Sequence, residues 1–358
     1  MIIIVTALMY GSLSAAFSFA LLRCMPPHTV PALRKPRGAE QLAVALVIVC
    51  SILSAVYTAS EIAESFQVSL FDSILQVLYS TVQGYGVLGS LLFGSIWYGT
   101  DALVREGRIK PRLFLFAVVG LVVSIAASMH AATLSFAAFA AQVLHLAAVS
   151  AWLGTLLLAG WLAQPKADWS SFYRWYTPLA IGCVAAVTAS GLLLMSEFST
   201  KWISAWVLDY GQILLVKHLL IIPLLAIASV NALLIAPKAK GGSLDPRGWM
   251  RSESALSLVI FIVTAVLSRT VPPHDLEQTL RYTPPSNWFL FWYEGIVTPE
   301  IELTLAAEPT SGMIALMAVM FIGMIYLLYR RRGHPSLAFS ASLLFVAFGY
   351  VALMLAVR

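Results

Sequence analysis

The sequence predicts an all-α fold, a polytopic bundle of about ten transmembrane helices with both termini outside. Three observations predict it. Of the 358 residues, 60% are hydrophobic and only 11% are charged, against roughly a quarter charged in soluble domains. The mean hydropathy is +0.86. The charged residues that remain collect in short loops that alternate in sign, the pattern that sets membrane topology.

A spanning helix needs about 20 apolar residues, and ten runs approach or exceed that length. They are Ile2 to Leu22, Leu42 to Ala59, Ile74 to Tyr98, Leu113 to His130 and Ala141 to Ala163, then Tyr176 to Ser196, Gln212 to Ala236, Ser254 to Ser268, Gly312 to Tyr329 and Leu337 to Val357. The first run lacks a basic start and is followed by Arg23, Arg34, Lys35 and Arg37, so it reads as a retained helix and not a cleaved signal peptide. Basic loops follow the first, third, fifth, seventh and ninth runs. They hold Arg34 and Lys35; Arg105, Arg108, Lys110 and Arg112; Lys166 and Arg174; Lys238, Lys240, Arg247 and Arg251; and Arg330 to Arg332. By the positive-inside rule these loops are cytoplasmic. Glu61, Glu64 and Asp72 fall on the outer side.

No stretch is long enough for a separate soluble domain, so residues 1–358 read as a single integral membrane domain. The net charge of +5 reports topology and not nucleic-acid binding. Cys24, Cys50 and Cys183 form no CxxC or disulfide pattern. The outer loop, residues 271–310, carries PPHD and then NWFLFWYEG (Asn287 to Gly295). Trp and Tyr favour the interface, so this run reads as an interfacial segment, an anchor or a lid.

The candidate chemistry lies in one layer. Counted from the inner helix ends, His145 and His218 each lie 18 residues up, Met195 lies 18 after Thr177, and Met129 lies 17 after Arg112. Each count is about 26–27 Å in a hydrocarbon core of about 30 Å. His130 sits just above Met129, and Glu197 just above Met195. Histidine in hydrocarbon is costly and tends to mark a site, although a single one also serves by bonding a backbone carbonyl. Imidazole, thioether and carboxylate together suit a copper ion, with methionine favouring Cu(I). Zinc more often takes histidine with thiolate or carboxylate. Lys217, beside His218, would repel a cation and is not counted as a ligand.

Other donors are set further out. Met313, Met317, Met320 and Met324 form one helical stripe, a packing face or a stepping path for Cu(I). Cys24, Met25 and His28 cluster at the inner end of the first run. His274 in the outer loop would be a capture ligand or a plain loop residue, and His334 follows three arginines. No GxxxxGK[ST], CPC, DKTG, GxSxG or HExxH motif occurs. An ATP-driven pump is thereby disfavoured, and the chain reads as no enzyme.

Four ordered pieces resemble the CopD copper-resistance family, which includes bacterial copper-uptake proteins. They are VLHLAAVSAWLGTLLL (Val143 to Leu158), PLAIGCVAAVTASGLLL (Pro178 to Leu194), YGQILLVKHLLIIPLLAIASVNALLIAP (Tyr210 to Pro237) and RSESALSLVIFIVTAVLSRTVPP (Arg251 to Pro273). The similarity spans a core at 112–273. It implies copper movement across the bacterial inner membrane, often beside a periplasmic CopC-like partner, which here would be separate. It lends weight to His145 and less to His130, while Lys217 occupies the family's lysine position. The expectation is a multi-pass copper transporter, importing, with its site at Met129, His130, His145, Met195, Glu197 and His218. Two alternatives stay open. One is a haem-binding electron carrier with transmembrane bis-His ligation. The other is a copper-delivery factor without net transport.

Overall fold

The structure is a computed structural model. It describes residues 1–358 except Lys35, Pro165, Lys166, Ser199, Thr200, Val271 and His274, and the side chain of Phe198. The sequence readings on Lys35, Lys166 and His274 therefore lie outside the described residues. Nine helices are long and apolar enough to cross a membrane among the described residues. The expected helical architecture is observed, and no element is a strand; the only β pairing described is two isolated bridges. The helices cluster into two units, Met1–Leu194 and Met195–Arg358. The sequence reading drew one domain over 1–358, and its core at 112–273 runs across the boundary between the units.

The first unit begins with α1 (Ile2–Cys24) and α2 (Ala39–Phe66). The run expected as one helix over Ile74 to Tyr98 is two, α3 (Leu70–Ser80) and α4 (Val82–Leu103). Thr81 is the break: it is extended at φ −124°, ψ 153°, and its hydroxyl caps α4 by accepting from the Gly84 amide. A Cβ on Gly84 would fall 2.3 Å from the Leu78 carbonyl oxygen, so α4 starts hard against the end of α3. α4 is long enough to span at 22 residues, but its glycines and polar residues keep it out of the nine most apolar helices. Small residues there let α5 (Ile109–Ala127) come close, as is common between membrane helices. Trp97 and Phe114, both fully buried, meet at 4.5 Å in that contact.

Next come α6 (Ala131–Leu134), α7 (Phe136–Val149), a π turn at Ser150–Gly154 and α8 (Thr155–Leu162). α7, the turn and α8 form one continuous span. It crosses α1 at Gly154, where a Cβ would lie 2.1 Å from the Ser14 carbonyl oxygen. The π turn disturbs the regular i to i−4 ladder. Ser18 repairs it by donating to the Ser150 carbonyl at 3.0 Å, and Thr155 donates to Ser18 at 3.2 Å. At the basic end of α1, Arg23 holds the buried Glu40 at 2.6 Å and stacks over Phe114 at 4.5 Å. The α1–α2 loop pairs with the end of α8, Arg34 N donating to Leu162 O at 2.7 Å. The first unit ends within α9 (Trp169–Phe198). The Ser171 hydroxyl, with the Ser171 and Ser170 amides, holds the Asp168 carboxyl at its start below the usual carboxylate range.

In the second unit, α10 (Asp209–Val230) continues through a π turn at Asn231–Ile235 into α11 (Ala236–Lys240). Then follow α12 (Arg247–Leu267), the short α13 (Leu276–Tyr282) and α14 (Asn287–Leu290), and the hairpin α15 (Pro309–Arg330) and α16 (Pro335–Ala356). The aromatic segment of the loop between α12 and α15 is anchored and part of it is core. Phe289 is 1% exposed and packs with Val207, Leu215, Leu219 and Phe345. Trp288 and Phe291, its neighbours in the run, are exposed. The loop is tied down by Ser286 N donating to Val207 O at 2.8 Å and by Ala306 N donating to Ala356 O at 2.7 Å.

The crossing at Gly154 generates a stability prediction. Gly154→Val should destabilise the purified protein by about 2–3 kcal/mol through overpacking. Gly182→Ala, where a Cβ meets nothing within 4 Å, should leave melting in detergent unchanged. Equal melting of wild type and Gly154→Val would contradict the crossing.

Candidate metal centre

His145 lies on α7, nine residues after Phe136. The helix starts earlier than the apolar run did, because Ser135 caps it by accepting from the Ala138 amide at 3.0 Å. The imidazole is half-buried, and its Nδ1 lies 3.0 Å from the Ser190 hydroxyl oxygen on α9. Ser190 is buried and donates its own proton to the Ala186 carbonyl at 2.6 Å. With that proton engaged at Ala186, the serine oxygen has lone pairs to offer the ring, and the Nδ1–H tautomer is the one that would use them. That tautomer places the imidazole lone pair on Nε2. A ring nitrogen fixed by a hydrogen bond through its partner nitrogen is the usual state of a metal-binding histidine. Gly191 presents bare backbone beside the ring, 3.6 Å from Cε1 to where a Cβ would be.

Met129 joins this neighbourhood. It lies two residues beyond the end of α5, and its sulfur accepts from Gln142 Nε2 at 3.1 Å. Gln142 is three residues before His145 on α7, so the thioether is held by a side chain about one turn from the imidazole's own position on the helix. The amide bond fixes the thioether rotamer and occupies one lone pair of a sulfur that has two. Gln142 and Ser190 were not singled out from sequence. Their only signal is spacing: one lies a turn from His145, and the other lies inside the small-residue step TASG.

The remaining predicted residues are placed as follows. His130 is exposed on the turn into α6, its carbonyl accepting from Thr133 N at 3.0 Å. Met195 and Glu197 lie in the last turn of α9, assigned to the second unit, the first half-buried and the second exposed. His218 lies nine residues after Asp209 on α10 and is exposed, with Lys217 half-buried beside it. Measured along their own helices, His145 and His218 are each about 13–14 Å from the helix start, whereas Met129 and His130 lie past a helix end. Among the described residues, no three of His, Cys, Asp and Glu converge to hold a metal ion.

The methionine stripe faces outward. Met313, Met317 and Met320 are 69%, 45% and 66% exposed, and Met324 is half-buried, while Ala318 and Ile325 form the inward face of α15. Spacing defines a stripe but not the direction it faces. Elsewhere, exposed Cys24 donates to the Pro111 carbonyl at 3.5 Å. Glu61 and Glu64 are exposed at the end of α2. His334 caps α16, its Nδ1 being 2.7 Å from the Ser336 hydroxyl.

These features define a multi-pass helical membrane protein whose first unit fixes an imidazole at Ser190 and a thioether at Gln142, the histidine and the glutamine lying three residues apart on α7. Residues 170–267, which run from α9 to the end of α12, match the family model described as Copper resistance protein D, CopD. The match takes in Ser190, Met195, Glu197, Lys217 and His218, and leaves His145 and Met129 outside. The chain is also similar to the copper transport protein CutJ of Bacillus subtilis (strain 168), at 26% identity over 228 residues, 59% of this chain and 41% of the relative. It thus spans about two-fifths of the length of the curated relative it matches. No solved structure matches.

The tautomer argument is testable without metal. Histidine ring nitrogen shifts in labelled protein should show His145 as the Nδ1–H tautomer. In Ser190→Ala, which removes the acceptor, that population should fall in favour of Nε2–H. An Nε2–H ring in the wild type would overturn the hydrogen-bond assignment.

Proposed function

We propose that the protein carries copper across a bacterial inner membrane, as an importer with both termini outside. The observation that carries this reading is the His145 imidazole held to Ser190 through Nδ1, with the Met129 thioether held by Gln142 three residues earlier on the same helix. Soft thioether and neutral imidazole favour Cu(I), and both shed it more readily than thiolates do. The CopD family match and the similarity to a copper transport protein support the same cargo. The second unit contributes its own donors, Met195, Glu197 and His218, with His130 at the outer edge of the first. The exposed carboxylates Glu61 and Glu64 would raise the local cation concentration at the entry side. Met313, Met317, Met320 and Met324 are secondary candidates, because most of them point away from the interior of their unit. A CopC-like periplasmic protein is the partner that the family resemblance implies.

Metal analysis and an absorption spectrum on detergent-purified protein test this reading. Copper should bind stoichiometrically to the wild type and be lost in His145→Ala, with no Soret band. Ser190→Ala should weaken copper binding about tenfold, the usual cost of losing the group that orients a ligand. Cells expressing His145→Ala should accumulate less copper than wild type. A Soret band would replace the reading with haem ligation. Copper binding without uptake into proteoliposomes would make the protein a delivery factor.

A further inference from the structure

The copper reading leaves unused the most deeply buried carboxyl of the second unit. Glu253, on α12, is 2% exposed, and Asn231, opening the π turn after α10, is 5% exposed. The Asn231 side-chain amide donates from Nδ2 to Glu253 Oε2. Its other atom, Oδ1, is buried and has no hydrogen-bond partner among the described residues. A buried acceptor left without a donor is costly, and a π turn inside a helix often coincides with a functional position.

An ionised carboxylate only accepts hydrogen bonds, so ionised Glu253 does not relieve Oδ1. A protonated Glu253 does. Its O–H donates to Oδ1 while its other oxygen keeps the Nδ2 bond, closing an acid–amide ring in which both amide atoms are satisfied. With the amide turned over, Oδ1 meets Oε2, and a proton on the carboxyl is again what joins them.

The surroundings are cationic or neutral. On α12 itself, Arg247 is taken up by Asp245 at 2.6 Å, and Arg251 is exposed. The continuation of α10 presents Lys238 and Lys240, with Lys238 lying over the Tyr329 ring at 4.8 Å. α15 presents Tyr329, whose hydroxyl donates to Leu234 O at 3.2 Å, along with Tyr326 and Arg330. α16 packs its first turn here, Ser252 donating to Pro335 O at 2.7 Å, which brings His334 to this end; Tyr350 lies near the far end of α16. His218 and Lys217 are thirteen and fourteen residues back along α10, about 20 Å away. Glu253 lies six residues, about 9 Å, from the start of α12.

We propose that Glu253 and Asn231 form a proton-binding site, loaded from the end of α12 that carries Arg247 and Arg251. Water at that end delivers the proton as hydronium, the carboxylate becomes the acid, and the new O–H settles on Asn231 Oδ1. Nothing is oxidised or reduced. Use of this proton to drive or gate ion movement rests on the transport reading; the proton site itself does not.

The test is infrared difference spectroscopy on the full-length purified protein between alkaline and acidic pH. Acidification should raise a protonated-carboxyl band that is absent in Glu253→Gln and shifted in frequency in Asn231→Ala, which removes the acceptor. Identical carboxyl bands in wild type and Glu253→Gln would overturn the proposal. Should Glu253→Gln not fold, an unshifted band in Asn231→Ala would overturn it. Copper binding measured on the same preparations separates the two readings: its absence in wild type would sink the cargo assignment and leave the band in place.

Discussion

Ser18 donates to the carbonyl that the π turn at Ser150 releases, and the arrangement of the first unit depends on this kind of repair. Hydrocarbon offers no water to satisfy a backbone group, so irregular helix survives only where protein supplies the missing partner. α1 can supply it because Gly154 lets the two backbones meet. The same span carries His145 on the other side of the turn. The seam that tolerates the irregular turn is thus continuous, through one helix, with the ring that faces Ser190. The second unit also has a π turn, where the Tyr329 hydroxyl donates to the Leu234 carbonyl and the Asn231 side chain donates to a buried glutamate.

The ring of His145 is specified indirectly. Ser190 has one proton, engaged on its own helix at Ala186, which leaves the hydroxyl lone pairs to meet the imidazole. The orientation of a candidate ligand is therefore set by the backbone of α9. Met129 is held in a comparable way by Gln142. In both cases a neutral polar side chain on a neighbouring helix aims a donor atom, at lower desolvation cost than a charged partner would carry.

Hydropathy and loop charge made the helical spans legible, because each depends on composition over many residues. The break at Thr81 was not legible, since apolar residues continue on both sides and only the cap geometry reveals the turn. Helix starts were misplaced where polar or small residues extend a helix past its apolar part, as at Phe136 and Asp209. His145 stood out as a histidine in hydrocarbon, within a helix of family-like pattern. Ser190 and Gln142 did not, because each is an ordinary residue whose role is created by what faces it. The methionine stripe shows the same limit: periodicity fixes a face, and only packing says whether that face looks in or out.

The hairpin of α15 and α16 is closed at its open end. Thr304 and Ala306 pair with Arg358 and Ala356, and Glu308 binds Arg358. The closure turns two helices, joined at one end by a tight turn, into a clasped ring. A ring of this kind resists splaying, so any tilt of α16 carries α15 with it. The thioether row on α15 is then borne on a clasped pair of helices and not on a single flexing helix.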